Sequence, residues 1–323
     1  MMNQMILPTI NNSELPMQSN LSLQSANLGS PIKHAFIELV KDVKAIESDK
    51  FKLFTDRHQK LINPRVNTFW ANLNVFTQQS ALSDPAFAKN PYLQVLLDES
   101  HNHIHPAFWS SQMPNMTPKD YFIGVLNRIG EDIIKNKCAL KCASWKKELA
   151  IQTNQQKTNV DKLLKKHKQM KCKYIELPFV PDHTLCVTLT SEQKEASYPT
   201  VLKSFLKMCH GAEGLQSKLC DMQWRFVKGL DGVPTAHILM YVVGEDIDYA
   251  PLLNTNWNKV CIEKGLCTSS SQIQIRSIHC YQGNGLASKY WKNLIDSCQA
   301  PLEFYRYQAN GLSHVWKSYT GNI

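Results

Sequence analysis

Tyr174-Ile-Glu-Leu-Pro-Phe-Val180 and His183-Thr-Leu-Cys-Val-Thr-Leu-Thr190 open the stretch from Lys173 to Met240 around which the chain is organised. Both runs are rich in β-branched and aromatic residues, and such runs favour a pleated, half-buried strand. Ser197 to Met208 then carries apolar residues at helical spacing. Met222-Gln-Trp-Arg-Phe-Val227, the turn Gly229-Leu-Asp-Gly232 and Ala236-His-Ile-Leu-Met-Tyr-Val-Val243 read as a hairpin. Strand, helix and hairpin in that order begin a split βαβ sheet.

Outward from this stretch the pattern changes. Ser30-Pro31 and Asn63-Pro64 each place a cap before a proline, a helix-start signal. The apolar sets that follow, Ile32 to Ile46 and Leu61 to Phe76, predict two helices. Thr117-Pro118 starts a third, to about Lys137. Downstream, a helix is expected around Leu252 to Cys261, and Gln272 to His279 alternates as an edge or half-buried strand. A short helix over Ser288 to Ile295 and a final helix or strand over Pro301 to Trp316 complete the reading. The expected class is α+β: an N-terminal helical region, then an antiparallel sheet with helices packed on one face. The expected organisation is a flexible leader (1–29), a helical accessory region (30–150), a basic linker or exposed basic helix (151–170) and an α+β domain (171–323).

Of 323 residues, 43% are hydrophobic and 20% charged, a globular balance. No run approaches a membrane span, so no membrane partner is expected. The Asn-, Gln- and Ser-rich start lacks the pattern of a secretory signal, which points to the cytoplasm. None of the ten cysteines sits in a Cys-x-x-Cys pair, so reduced thiols are expected rather than a zinc site. No phosphate-binding glycine loop, dinucleotide fingerprint or serine-nucleophile elbow is present. No small-molecule cofactor is therefore expected.

The net charge of +9 is local. Lys135 to Lys173 holds twelve lysines against Glu148 and Asp161 alone. A block of this kind suits a polyanion, nucleic acid first. Lys157, Lys162, Lys165, Lys166, Lys168, Lys171 and Lys173 are the expected phosphate contacts. In the aromatic-basic tail Lys292 and Arg306 join them, because cations interleaved with aromatics suit unpaired bases. A solvated helical face is the plainer reading of the same lysines.

Trp224-Arg-Phe-Val-Lys-Gly229, the turn Leu230-Asp-Gly232, Thr235-Ala-His237 and Trp257-Asn-Lys259 form a further pattern. By these, residues 173 to 316 resemble the C-terminal domain of the inovirus-type replication-protein-like family of filamentous phages and prophages (the YagK/YfjJ type). It is similar, more distantly, to rolling-circle replication initiators, in which two histidines at i and i+2 of a strand hold a divalent metal. There a tyrosine on a following helix attacks a DNA phosphate. The resemblance implies a DNA-binding protein of phage, prophage or plasmid replication, with origin nicking through Tyr290 or Tyr305 and Mg²⁺ or Mn²⁺ held by His237. Glu176, Asp182 and His183, near the first strands, are further candidate ligands. Thr235 stands at the first histidine position of the pattern and Val227 at its carboxylate position, which equally suits a non-enzymatic, regulatory nucleic-acid-binding protein on the same fold. His101-Asn-His-Ile-His105-Pro, a second histidine cluster, is expected to be a surface loop.

Overall fold

The computed structural model describes residues 30–55, 63–103, 118–180, 189–244, 248–264, 273–281, 285–309 and 311–319. The leader, Asp182, His183 and most of the run 183–190 lie outside these residues.

Among the described residues eight α-helices and seven strands follow in chain order: α1 (Ser30–Glu47), α2 (Pro64–Thr77), β1 (Phe87–Lys89), α3 (Pro91–His103), α4 (Pro118–Lys135), α5 (Cys138–His167), β2 (Gln169–Pro178), α6 (Ser191–His210), β3 (Leu219–Lys228), β4 (Pro234–Val242), α7 (Ala250–Lys264), β5 (Gln274–Tyr281), α8 (Gly285–Gln299), β6 (Tyr305–Tyr307) and β7 (Lys317–Ser318). The main sheet has the order β5-β2-β4-β3-β7, antiparallel throughout. The α+β class expected from the sequence is the class observed.

Local chemistry explains the element boundaries. Asn63 caps α2 by accepting a hydrogen bond from the Arg65 backbone. Thr190 and Gln193 form a reciprocal capping box at the start of α6. The β3–β4 turn passes through Gly232 at φ +77°, a backbone region that suits glycine. As expected, β5 is an edge strand.

Strand β4 is buried along its whole length because helices cover both sheet faces. On the first face Ala236, Ile238, Met240 and Val242 join a core built with α6, α7 and the N-terminal helices. On the second, Leu239 and Tyr241 pack with Val160 and Leu164 of α5 and with Trp291, Leu294, Ile295 and Cys298 of α8. The packing thus extends beyond the single face expected.

Two further features place the accessory region. Residues 151–167, read as linker or exposed helix, are the C-terminal half of the unbroken helix α5. Within the region read as all-helical, β1 pairs with β6 in the register Phe87↔Tyr307. Residues 101–103 of the histidine cluster continue α3 rather than forming a loop, and 104–105 lie outside the described residues. None of the described helices is long and apolar enough to cross a membrane.

Candidate functional site: a buried arginine row and a two-helix basic surface

Two neighbouring regions hold the residues singled out in the sequence. The first is a row across the second face of the sheet. His237 on β4 stands opposite Glu176 on β2 and opposite Arg225 on β3, and Glu176 in turn faces Gln274 on β5. One register step away, Thr235 pairs with Val227, so the two positions where the family pattern has a histidine and a carboxylate are cross-strand neighbours.

Arg225 and His237 are fully buried. The Arg225 guanidinium donates from Nη1 to Gln299 Oε1 at 2.6 Å and from Nη2 to the Cys298 carbonyl at 2.7 Å. Nη2 also lies 3.3 Å from His237 Nδ1, and the Trp316 ring stacks 4.5 Å from the guanidinium carbon. Guanidinium only donates, so Nδ1 is the accepting nitrogen and the imidazole proton sits on Nε2. His237 is thus a neutral imidazole. Burial, and then the Arg225 charge, hold its pKa well below the ordinary value. Burial likewise lowers Arg225 and raises Cys298 to about 11. Tyr174, edge-on to His237 with ring centroids 5.5 Å apart, completes the second-face wall.

This environment does not fit Mg²⁺ or Mn²⁺. Both ions want several oxygen ligands, whereas His237 offers one imidazole whose accepting nitrogen faces a guanidinium. Among the described residues no three His, Cys, Asp or Glu side chains converge as a metal site would need.

The tyrosines are held apart from this row. Tyr305 is buried in the first-face core against Phe87, on the other side of the sheet from His237. Burial drives its hydroxyl pKa upward, the opposite of what activates a nucleophile. Tyr290 is 46% exposed near the start of α8. Arg225 touches the other end of that helix, at Cys298 and Gln299. Eight helical residues span about 12 Å, so Tyr290 lies two turns along α8 from the contacts with Arg225.

The second region is the surface where α5 meets α8. The Trp145 indole donates to the Leu302 carbonyl, and Lys157 pairs with Asp296 at 2.6 Å. As α5 advances from 145 to 157, its partner recedes from 302 to 296, so the two helices run antiparallel. The C-terminal half of α5 therefore lies beside the N-terminal half of α8. Lys162, Lys165 and Lys166 on this half of α5 and Lys168 at its C-cap are exposed, with Lys166 on the side towards Cys220 of β3, and Lys157 is half-buried. On α8, Lys289, Lys292 and Asp296 share one side by their spacing of three and four residues. Tyr290, two residues from Lys292, turns by about 200° to the opposite side.

Three expected phosphate contacts are committed elsewhere. Arg306 is 4% exposed, donates to Glu148 Oε2 and the Trp145 carbonyl at 2.6 Å each, and lies 3.7 Å over the Trp145 ring. It fastens α5 to β6. Lys173 is buried and donates to Ser277 Oγ at 2.7 Å. Lys171 and Lys173 alternate with Cys172 and so point away from α5, towards the first face.

Arg225 and Gln299 were not picked out in the sequence as site residues, and Trp316 was read only as part of the aromatic-basic tail. Arg225 carried a readable signal: a charge inside the apolar run Trp224 to Val227, on the strand face opposite Trp224 and Phe226. Gln299 carried none, and the pairing of Trp316 with Arg225 could not be read, since only the fold brings them together. No family model, curated protein or solved structure matches the chain.

Proposed function

We propose that this protein is a non-enzymatic nucleic-acid-binding protein of phage, prophage or plasmid replication. It works in the cytoplasm and grips a strand across the paired α5–α8 surface. The supporting observation is the antiparallel pairing fixed at Lys157–Asp296, which brings the end of α5 that carries the exposed Lys162, Lys165, Lys166 and Lys168 to the end of α8 that carries Lys289 and Lys292. Lysines gathered from two adjacent helix ends suit a charged backbone better than a single solvated face does. Phosphate contacts of this kind give affinity without sequence information. The replication setting rests on the resemblance of residues 173 to 316 alone.

The binding reading is preferred to nicking because of the buried row. Neither candidate tyrosine meets His237, and His237 meets a cation instead of a metal's partners.

The test is an anisotropy titration against single-stranded and duplex DNA over a range of salt. Charge reversal of Lys165, Lys166 and Lys168 to Glu should weaken binding to all sequences alike. It should also flatten the dependence of log affinity on log salt by roughly one unit for each phosphate that the variant no longer neutralises. Unchanged affinity and slope would overturn the assignment. A denaturation-resistant DNA adduct that disappears in Tyr290→Phe would restore the nicking reading.

A further inference from the structure

The two ends of the α5–α8 contact differ in charge. Towards the N-terminal end of α8 stand the lysines already described. Towards its C-terminal end the two helices line a groove of about 380 Å³. Small-molecule sites run from about 300 to 1,000 Å³, so this one is large enough for a single small group. Leu149 and Gln299 are buried and form its floor. Thr153 and Ala300, half-buried, stand beside them. Lys146, Ala150, Asn154, Asp296 and Glu303 are exposed and form the rim.

Gln299 is the floor residue whose bonding is incomplete. It is 5% exposed, and its Oε1 accepts from Arg225 Nη1 at 2.6 Å. A guanidinium only donates, so the carboxamide is held by its oxygen and its amino group is left over. That Nε2 has no hydrogen-bond partner among the described residues. A buried donor is costly to leave unmade. Thr153 is complementary to it. The Thr153 hydroxyl donates to the Leu149 carbonyl at 2.8 Å, so its oxygen keeps lone pairs with which to accept. One donor and one acceptor therefore accompany the apolar Leu149.

The rim decides which part of a strand can enter. Asp296 and Glu303 outnumber Lys146, so the groove opposes a phosphate. A nucleobase is neutral and flat, with acceptors and donors along its edge. Its ring suits Leu149 and Ala300, and its edge suits Gln299 Nε2 and Thr153 Oγ1. The location agrees. Asp296 belongs to both regions, since it lines the groove and pairs with Lys157 at 2.6 Å. Asn154 at the rim precedes Lys157 by about one turn of α5, roughly 5 Å along the axis. A backbone that follows the lysines thus passes the mouth of the groove.

We propose that this groove takes one unpaired nucleobase of the bound strand, with Gln299 Nε2 donating to an acceptor on the base edge. The proposal rests on the nucleic-acid reading and deepens it. The lysines hold the backbone of any strand, whereas the groove takes a base only when its edge is not already paired. Single strands are therefore preferred to duplex. Arg225 is a positioning residue in this account: it holds the Gln299 oxygen and so reserves the amino group for the base.

The experiment is an anisotropy titration of the full chain with a single-stranded oligonucleotide and with a fully abasic strand of the same length, which keeps every phosphate. Wild type should bind the intact strand more tightly by roughly fivefold, the equivalent of about 1 kcal/mol and of one net hydrogen bond. The salt slope should be the same for both strands, because the phosphates are the same. Ala150→Leu narrows the groove from an exposed position and adds neither charge nor aromatic ring. Gln299→Met removes the donor. Each variant should bring the intact strand down to the affinity of the abasic one and leave the slope unchanged. Should Gln299→Met fail to fold, Ala150→Leu decides alone. Equal binding of the two strands by wild type would overturn the base site and leave the lysine surface standing. A base-dependent gain that Ala150→Leu does not reduce would do the same. A wild-type protein that binds neither strand would refute the nucleic-acid reading and the base site with it.

Discussion

The two faces of the central sheet are cut from the same strands but filled with different chemistry. On the first face β4 presents Ala236, Ile238, Met240 and Val242 to a core of aromatic rings. Phe179 meets Trp257 edge-to-face at 5.3 Å, and Phe205 meets the same indole at 5.6 Å. On the second face the same strand presents Thr235 and His237, and β3 adds Gln223 and Arg225, all buried. Strand period two makes this division possible, since neighbouring residues serve opposite layers. The first face supplies area removed from water. The second carries polar groups whose desolvation is costly, which is where a site is to be sought and where apolar replacement should be tolerated.

The largest effect should come from breaking the first face. Trp257 is fully buried between two aromatic neighbours, and Trp257→Ala should destabilise by about 3–5 kcal/mol. Urea unfolding followed by far-UV circular dichroism measures this. A loss below about 1 kcal/mol would mean that the first-face core is looser than its aromatic contacts imply.

Acid should separate the polar histidines from the aromatic core next. His314 is buried beside Arg306 and Arg225, and burial, then those two charges, lower its pKa from 6.5 to about 4. His237 shifts in the same direction, and the largest cause is again burial. A base whose pKa is depressed by folding binds its proton first in the unfolded chain. Stability is therefore full above about pH 6.5 and drains away as the pH falls towards 4. The loss attached to His314 is of order 3 kcal/mol at most. Urea midpoints measured between pH 7 and pH 4 should fall, and His314→Phe should flatten the fall. A profile identical in wild type and variant would remove His314 from the account.

Arg225→Met should sharpen the contrast by doing little. Methionine removes a desolvated cation but leaves Gln299 Oε1 and the Cys298 carbonyl without their donor. The two effects oppose one another, and an apolar replacement of a buried charge is often close to neutral. A change within about 1–2 kcal/mol of wild type is expected, well short of Trp257→Ala. Complete unfolding would instead make Arg225 an integral support of the fold.

What was legible in the sequence tracks this division. The first face could be read because it is periodic: the hairpin with Gly232, the helix over Ser197 to Met208 and the edge strand β5 all follow from spacing and turn chemistry. The pairing of β1 with β6 could not be read, since three residues carry no period and the partner lies roughly two hundred positions away. The full length of α5 was hidden as well. Its buried stripe between Leu149 and Val160 is carried by Gln156, a polar residue in an apolar position. The site was half legible. His237 attracts notice as an imidazole on a strand, but its meaning changes with Arg225 opposite. Cross-strand register, rather than either residue's own neighbours, sets that relation.

The smallest stability effect should come from the α5–α8 surface, and there function should move the other way. Lys157 and Asp296 pair at 2.6 Å with their side chains 26% and 53% exposed. Exposed pairs contribute about 0.2–1 kcal/mol, so a double-mutant cycle with Lys157→Met and Asp296→Asn should yield a coupling in that range. Asp296 is also an acid that shares its side of α8 with Lys289 and Lys292. Asp296→Asn releases Lys157 and removes a negative charge from the proposed strand path. Affinity for single-stranded DNA should therefore rise, and its salt dependence should steepen by up to about one unit, the equivalent of one more neutralised phosphate. Stability and binding then change in opposite directions in one variant. A variant that loses stability and leaves both the affinity and the salt slope unchanged would place the nucleic-acid surface away from α8.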